Sequence, residues 1–133
     1  MPDYNLGKKE NDDKYKAILV DDSTYIQKSL AKILEDMGCE ILDTAGNGLE
    51  AIESLKENIN EVDFMTLDIT MPEMDGLEAL EKLLMLKPDL TVFMVSSMGQ
   101  KLKVTHSVKL GAKYFIVKPF KAEKVYDVLN KYL

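Results

Sequence analysis

The sequence predicts a doubly wound α/β domain built on a five-stranded parallel sheet. Two observations carry this reading. Short, β-branched apolar runs alternate with longer stretches whose apolar residues recur at helical spacing, five times over between residues 16 and 133. Polar residues, mostly acids and hydroxyls, then stand at the end of each run. Strict strand–helix alternation requires right-handed crossovers, which place helices on both faces of the sheet. A chain of 133 residues fits one such domain with a core of its own.

Residues 1–14 are polar and charged, with Gly7 and the run Lys8-Lys9-Glu10-Asn11-Asp12-Asp13-Lys14; they read as a solvated N-terminal extension to a domain at 15–133. Ala17-Ile18-Leu19-Val20 is too short for a helix and reads as a buried strand. Asp21-Asp22-Ser23-Thr24 stops it and offers helix N-caps. Ile26, Leu30, Ile33, Leu34 and Met37 form the apolar stripe of the first helix, closed by Gly38. A short strand at Glu40–Leu42 precedes a helix at Gly48–Glu57, with Leu49, Ile52 and Leu55 on one face. A strand at Val62–Leu67 leads to the strongly periodic helix Gly76–Lys87, ended before Pro88. The remaining pairs are Thr91–Val95 with Lys101–Leu110, closed by Gly111, and Tyr114–Val117 with Ala122–Leu133.

Composition narrows the function. No apolar run approaches the roughly 20 residues of a membrane span, and Met1-Pro2-Asp3-Tyr4-Asn5 has neither the basic nor the apolar region of a secretory signal. Cys39 is the single cysteine, so no intrachain disulfide forms, in keeping with a reducing cytoplasm. The net charge of −6 disfavours a general grip on nucleic acid. The charge is uneven: residues 1–100 hold 9 Lys and 21 acids, whereas residues 101–133 hold 8 Lys against Glu123 and Asp127. Arg is absent, so any anion must be met by point ammonium charges.

In a parallel α/β sheet, ligands bind beyond the carboxyl ends of the strands. Those ends carry Asp21-Asp22, Asp68, Ser96-Ser97 and Lys118-Pro119, with Asp43-Thr44 after the second strand. Any one of these alone reads as a cap or turn; their convergence on one rim does not. Clustered carboxylates cannot all stay ionised without a cation. Oxygen ligands without His or Cys favour a hard ion such as Mg²⁺, which pairs readily with phosphate oxygens. A carboxylate can itself attack phosphorus, and a nearby Lys and Ser can hold the transferred oxygens.

The segments Ile18–Ser23, Met65–Gly76, Val95–Gln100 and Gly111–Phe120 together resemble a response-regulator receiver domain, of the stand-alone chemotaxis CheY type. The resemblance covers residues 16–133. It implies the flavodoxin-like strand order 2-1-3-4-5, which is a property of that family and not a reading of this sequence. It further implies that Asp68 accepts a phosphoryl group; that Asp22, Asp68 and the Thr70 backbone carbonyl hold Mg²⁺, with Asp21 acting through water; and that Lys118 and Ser96 contact the phosphoryl oxygens. Ser97, Thr70 and Met98 would flank the phosphoryl, and Phe115 would be the switch aromatic. The Lys118–Pro119 bond would be cis, and the output face would include Lys101, Val104, Phe115, Val117 and Lys121. Implied partners are a sensor histidine kinase of the CheA type, a flagellar motor switch protein and a CheC/CheX-type phosphatase. The phosphatase follows because neither Thr70 nor Met98 can orient an attacking water.

With the fifth helix reaching Leu133, the expectation is a receiver whose output is a protein contact rather than an attached effector. The alternative is a phosphorelay intermediate that hands its phosphoryl to a histidine phosphotransfer protein. A haloacid-dehalogenase-type hydrolase would need a second Asp at position 70, where Thr stands, and its nucleophile on the first strand. A degenerate scaffold would have lost part of the site, and none is lost. His106 reads as an ordinary helix residue, Cys39 as packing, Gly46-Asn47-Gly48 as a turn and Asp75-Gly76 as a helix start. Met65, Met71, Met74 and Met94 read as core or loop packing.

Overall fold

The computed structural model describes residues 4–9, 13–71, 74–97, 101–112 and 114–133, with the side chains of 101–104 outside the description. Met98 and the side chains of Lys101 and Val104 therefore lie outside the described residues, as do Pro72, Glu73, Gly99, Gln100 and Lys113 of the motif segments.

Five strands alternate with five helices: β1 (Lys16–Val20), α1 (Thr24–Asp36), β2 (Glu40–Ala45), α2 (Gly48–Glu57), β3 (Phe64–Asp68), α3 (Gly76–Leu86), β4 (Thr91–Ser97), α4 (Lys101–Leu110), β5 (Tyr114–Lys118) and α5 (Ala122–Tyr132). All pairings are parallel, in the order β2-β1-β3-β4-β5. The apolar runs are continuous because both faces of the sheet are covered. Successive side chains go to opposite faces. Ile18 and Val20, Met65 and Leu67, and Val92 and Met94 join Ala51, Leu55, Leu80 and Leu83 of α2 and α3. Ala17, Leu19, Phe64, Phe93 and Val95 join Leu30, Leu34, Val125 and Leu129 of α1 and α5.

Helix starts follow the capping chemistry legible in the sequence. Ser23 Oγ accepts from Ile26 N–H at 3.2 Å, Asn47 Oδ1 from Glu50 N–H at 2.9 Å, and Asp75 Oδ1 from Glu78 N–H at 3.0 Å. Gly38 closes α1 and Gly111 follows α4, both at positive φ. The strands run further into polar sequence than hydrophobicity alone suggests. β2 reaches Ala45, β3 Asp68, β4 Ser97 and β5 Lys118. Backbone pairing extends them, with Asp68 opposite Val95 and Ser97 opposite Lys118. At its other end β3 starts at Phe64, because Val62 N–H is still turned back to Asn58 C=O at 3.0 Å.

The extension is solvated only in part: Asn5, Gly7, Lys8, Asp13 and Lys14 are exposed, whereas Tyr4, Leu6 and Lys9 are partly buried. Leu6 N–H donates to Met37 C=O at 3.0 Å, and Tyr4 and Leu6 pack against the α1/α5 side of the core. The Tyr4 ring lies 5.4 Å from that of Tyr126. Lys9 Nζ meets Asp63 Oδ1 at 2.9 Å, while Asp63 Oδ2 accepts from Lys16 N–H at 2.8 Å. Two apolar residues spaced by two put their side chains on one side of an extended segment, and that outweighed the polar average. Cys39, 4% exposed, lies in the same cluster; burial, with help from the Asp63 charge, pushes its thiol up to about 12. Deleting residues 1–9 should therefore cost about 1–3 kcal/mol in urea denaturation. It should also speed modification of Cys39 by a thiol reagent. A solvated extension would change neither.

Candidate functional site

The parallel sheet delivers every strand's carboxyl end to one rim, and the order places β3 at its centre with β1 on one side and β4 on the other. Asp68 is the last residue of β3, Asp21 follows β1 directly, Ser96 and Ser97 end β4, and Lys118 ends β5. Asp21 and Asp68 are each 5% exposed, whereas Asp22 is exposed. One carboxylate oxygen from each of Asp21, Asp22 and Asp68 falls within 4.8 Å of the others. Lys118 reaches past β4 to set its ammonium 3.0 Å from Asp21 Oδ2 and 3.4 Å from Asp68 Oδ2. Asp21 Oδ1 accepts from Ser23 N–H at 2.9 Å, and Asp68 Oδ1 from Thr70 N–H at 3.3 Å.

Gly76 lets α3 approach this rim. Its N–H donates to Ile69 C=O at 2.7 Å, and a Cβ there would collide with the Asp68 carbonyl oxygen. At the start of α2, Gly48 abuts Met74, where a Cβ would lie 2.8 Å from Met74 Cγ. A residue the sequence reading passed over also belongs here. Gln27 of α1 donates its side-chain amide to Asp21 C=O at 2.6 Å and to Ala45 C=O at 3.1 Å. A polar residue one turn into a helix gave no signal that it turns back onto the strand ends.

The electrostatics follow from burial and crowding. Burial first, then the Asp21 charge, pushes the Asp68 carboxyl up to about 6, against the opposing pull of Lys118 and the Thr70 N–H. Burial alone would lower the Lys118 ammonium, but the hydrogen bond to Asp21 and the charges of Asp68 and Asp21 raise it overall. One ammonium cannot balance three carboxylates, and the surplus negative charge fits an added cation. The donors are all oxygen, which suits a hard ion such as Mg²⁺.

The other expected residues fall as follows. Ser96 is buried beside the rim, and Ser97 and Thr70 are exposed on it. Phe115, half-buried, packs on the α2/α3 side of the core; Val117 on the same face of β5 is 51% exposed, and Lys121 stands exposed before α5. The Lys118–Pro119 bond is cis. His106 is exposed on α4, away from the rim, and Met65, Met71, Met74 and Met94 are all core residues.

Residues 17–130 match the response regulator receiver domain, and the chain belongs to that family. Within it the chain is CheY-like. It is 45% identical to the chemotaxis protein CheY of Listeria monocytogenes over 87% of this chain and 96% of the relative. It is 40% identical to that of Bacillus subtilis over 90% and 98%. A chain of the crystal structure of the CheX–CheY–BeF3–Mg complex from Borrelia burgdorferi superposes with a TM-score of 0.91 at 33% identity, covering 98% of this chain and 97% of that one. The strand order implied by the resemblance is the one observed.

The crowding has a measurable consequence. A carboxyl whose folded value exceeds its ordinary 3.8 stabilises the fold only while protonated, and that contribution is lost as pH rises through about 6. At ~1.4 kcal/mol per pH unit, and with solvent screening taken into account, ionised Asp68 costs the cation-free fold on the order of 1–3 kcal/mol. Asp68→Asn should then be more stable than wild type by about 1–3 kcal/mol at pH 7.5 with chelator, the gain shrinking towards zero at pH 4. Urea denaturation at both pH values measures this; equal stability at pH 7.5 would contradict the crowding.

Proposed function

We propose that the protein is a phosphorylation-activated switch of a two-component chemotaxis system, with Asp68 as phosphoacceptor. The supporting observation is a buried carboxylate on the central strand, shared with Asp21 across one Lys118 ammonium. With a value near 6, Asp68 is ionised at neutral pH and able to act as nucleophile. Its oxygen attacks the phosphorus of a phosphohistidine; the P–O bond forms as the P–N bond breaks and the imidazole leaves. Lys118 then pairs with a phosphoryl oxygen, Ser96 donates its hydroxyl to another, and the small Ser97 leaves room for the group. Asp22, Asp68 and the Thr70 carbonyl would hold Mg²⁺, with Asp21 reaching it through water. Bound there, the ion supplies neutralisation of the carboxylates and of the phosphoryl oxygens.

The CheY-like relatives support a CheA-type kinase as donor and a flagellar motor switch protein as target. Thr70 carries neither carboxylate nor amide to orient a hydrolytic water, nor does Met98, so the phosphoryl group persists and a CheC/CheX-type phosphatase removes it. The Borrelia CheY bound to CheX supports that partner. The chemotaxis relatives do not favour the phosphorelay alternative. We place the protein in the cytoplasm, in keeping with the receiver family and with a buried free thiol at Cys39. We read residues 15–133 as the receiver unit and 1–14 as an extension, which Tyr4, Leu6 and Lys9 hold against it.

Two measurements test this reading. Radiolabel transfer from phosphorylated kinase or acetyl phosphate should give hydroxylamine-sensitive labelling that disappears with chelator and in Asp68→Asn. Persistent labelling of that variant would remove Asp68 from the role. The output face is expected on α4, β5 and α5, where the basic last quarter of the chain meets an acidic partner. Lys101→Glu combined with Lys121→Glu should weaken phosphorylation-dependent target binding about tenfold or more, with a shallower salt dependence, while labelling stays intact. Wild-type target affinity in that variant would place the output elsewhere.

A further inference from the structure

The geometry points to Gln27 as the positioning residue of the metal-binding loop: its side-chain amide latches the Asp21–Asp22 peptide to the end of β2. This role rests on the reading of Asp21, Asp22 and Asp68 as the cation site. Gln27 Nε2 lies 2.6 Å from Asp21 O and 3.1 Å from Ala45 O. Both partners are carbonyl oxygens, so only the amide nitrogen satisfies them, and its two hydrogens serve one each. Ala45 O accepts from Asp21 N–H at 3.0 Å as well. Residue 21 is thus tied to residue 45 twice, through its own N–H and through its C=O by way of Gln27.

The second tie bears on the chemistry. The Asp21 carbonyl belongs to the peptide that joins the two acids. A change in ψ at Asp21 swings that carbonyl and moves the Cα of Asp22, and with it the direction of the Asp22 carboxylate. Asp21 has other restraints: Ser23 N–H and the Lys118 ammonium both hold its carboxylate. Asp22 is exposed, so no surrounding core fixes it, and its aim depends on the backbone. Gln27 is itself well anchored, being within the first turn of α1 with its N–H on Ser23 C=O at 3.0 Å. Its contribution therefore falls on the pre-organisation of Asp22 rather than on the core. Partners that orient metal ligands in this way commonly change affinity without touching the ion.

Gln27→Met removes both donors at nearly constant volume, and Gln27→Arg restores donors at similar reach. Calorimetric titration with Mg²⁺ alone should show about tenfold weaker binding for Gln27→Met. Amide hydrogen exchange of the metal-free proteins should show faster exchange at Asp21 and Ser23, whose N–H groups bond Ala45 O and Asp21 Oδ1, in that variant, with β3 amides unchanged. Gln27→Arg should return the loop towards wild-type protection, a readout independent of the Mg²⁺ affinity that its added positive charge would itself lower. Wild-type Mg²⁺ affinity in Gln27→Met would overturn the role. So would a weakened affinity with uniformly faster exchange across the sheet, which is the signature of a merely structural residue, and so would an Arg variant as unprotected as Met. A wild-type protein that binds no Mg²⁺ would instead overturn the reading of the cation site.

Discussion

The Lys118 ammonium, held between Asp21 and Asp68, is the interaction on which the rim of this sheet depends. It joins residues from the ends of β1, β3 and β5, which are far apart in sequence and come together only through the strand order. It also leaves the site unbalanced, because the Asp22 carboxylate shares the same small volume. A buried surplus of negative charge is unfavourable in isolation and becomes an asset once a cation binds. The energetic cost at rest and the capacity to respond thus have one origin.

The two-sided core makes that rim rigid enough to matter. β3 alternates its residues between two fully covered faces, so Asp68 is fixed by packing on both sides of the strand that carries it. Gly76 brings α3 against the backbone of Asp68 and Ile69, which no residue with a Cβ could do without displacement. On β5, Phe115 and Val117 share a face, with Lys118 next along the strand. A change at the proposed phosphoryl site therefore has a short path to the proposed output surface. Such a path shifts populations only to the extent that partner and phosphoryl group favour the same arrangement.

Much of this was legible in the sequence, for physical reasons that differ by element. The helices announced themselves because one face is apolar at 3.6-residue spacing, as with Leu80 and Leu83, and because Ser23, Asn47 and Asp75 are cap residues by type. The strand cores were visible as apolar runs, but their polar ends were not: the pairing of Ser97 with Lys118 is a backbone property. Asp21, Asp22, Asp68, Ser96 and Lys118 could be read as strand-end groups, and the resemblance to a family supplied the order that brings them together. Two features escaped. Tyr4 and Leu6 were hidden in a charged stretch whose average suggested solvent. Gln27 carried no local signal because its partners, the carbonyls of residues 21 and 45, become neighbours only in the folded sheet.

The most direct measurement of the central claim is the unfolding free energy of the wild-type protein as a function of Mg²⁺ concentration at pH 7.5. An ion that binds the folded rim and not the unfolded chain must stabilise the protein in proportion to the logarithm of its concentration once above the dissociation constant. The expected result is that rise for wild type and a much smaller one for Asp22→Ala, which keeps the Lys118 contacts but lacks that oxygen ligand. A stability that does not change with Mg²⁺, or that rises equally in both proteins, would contradict the claim that the surplus charge at this rim exists to be met by a cation.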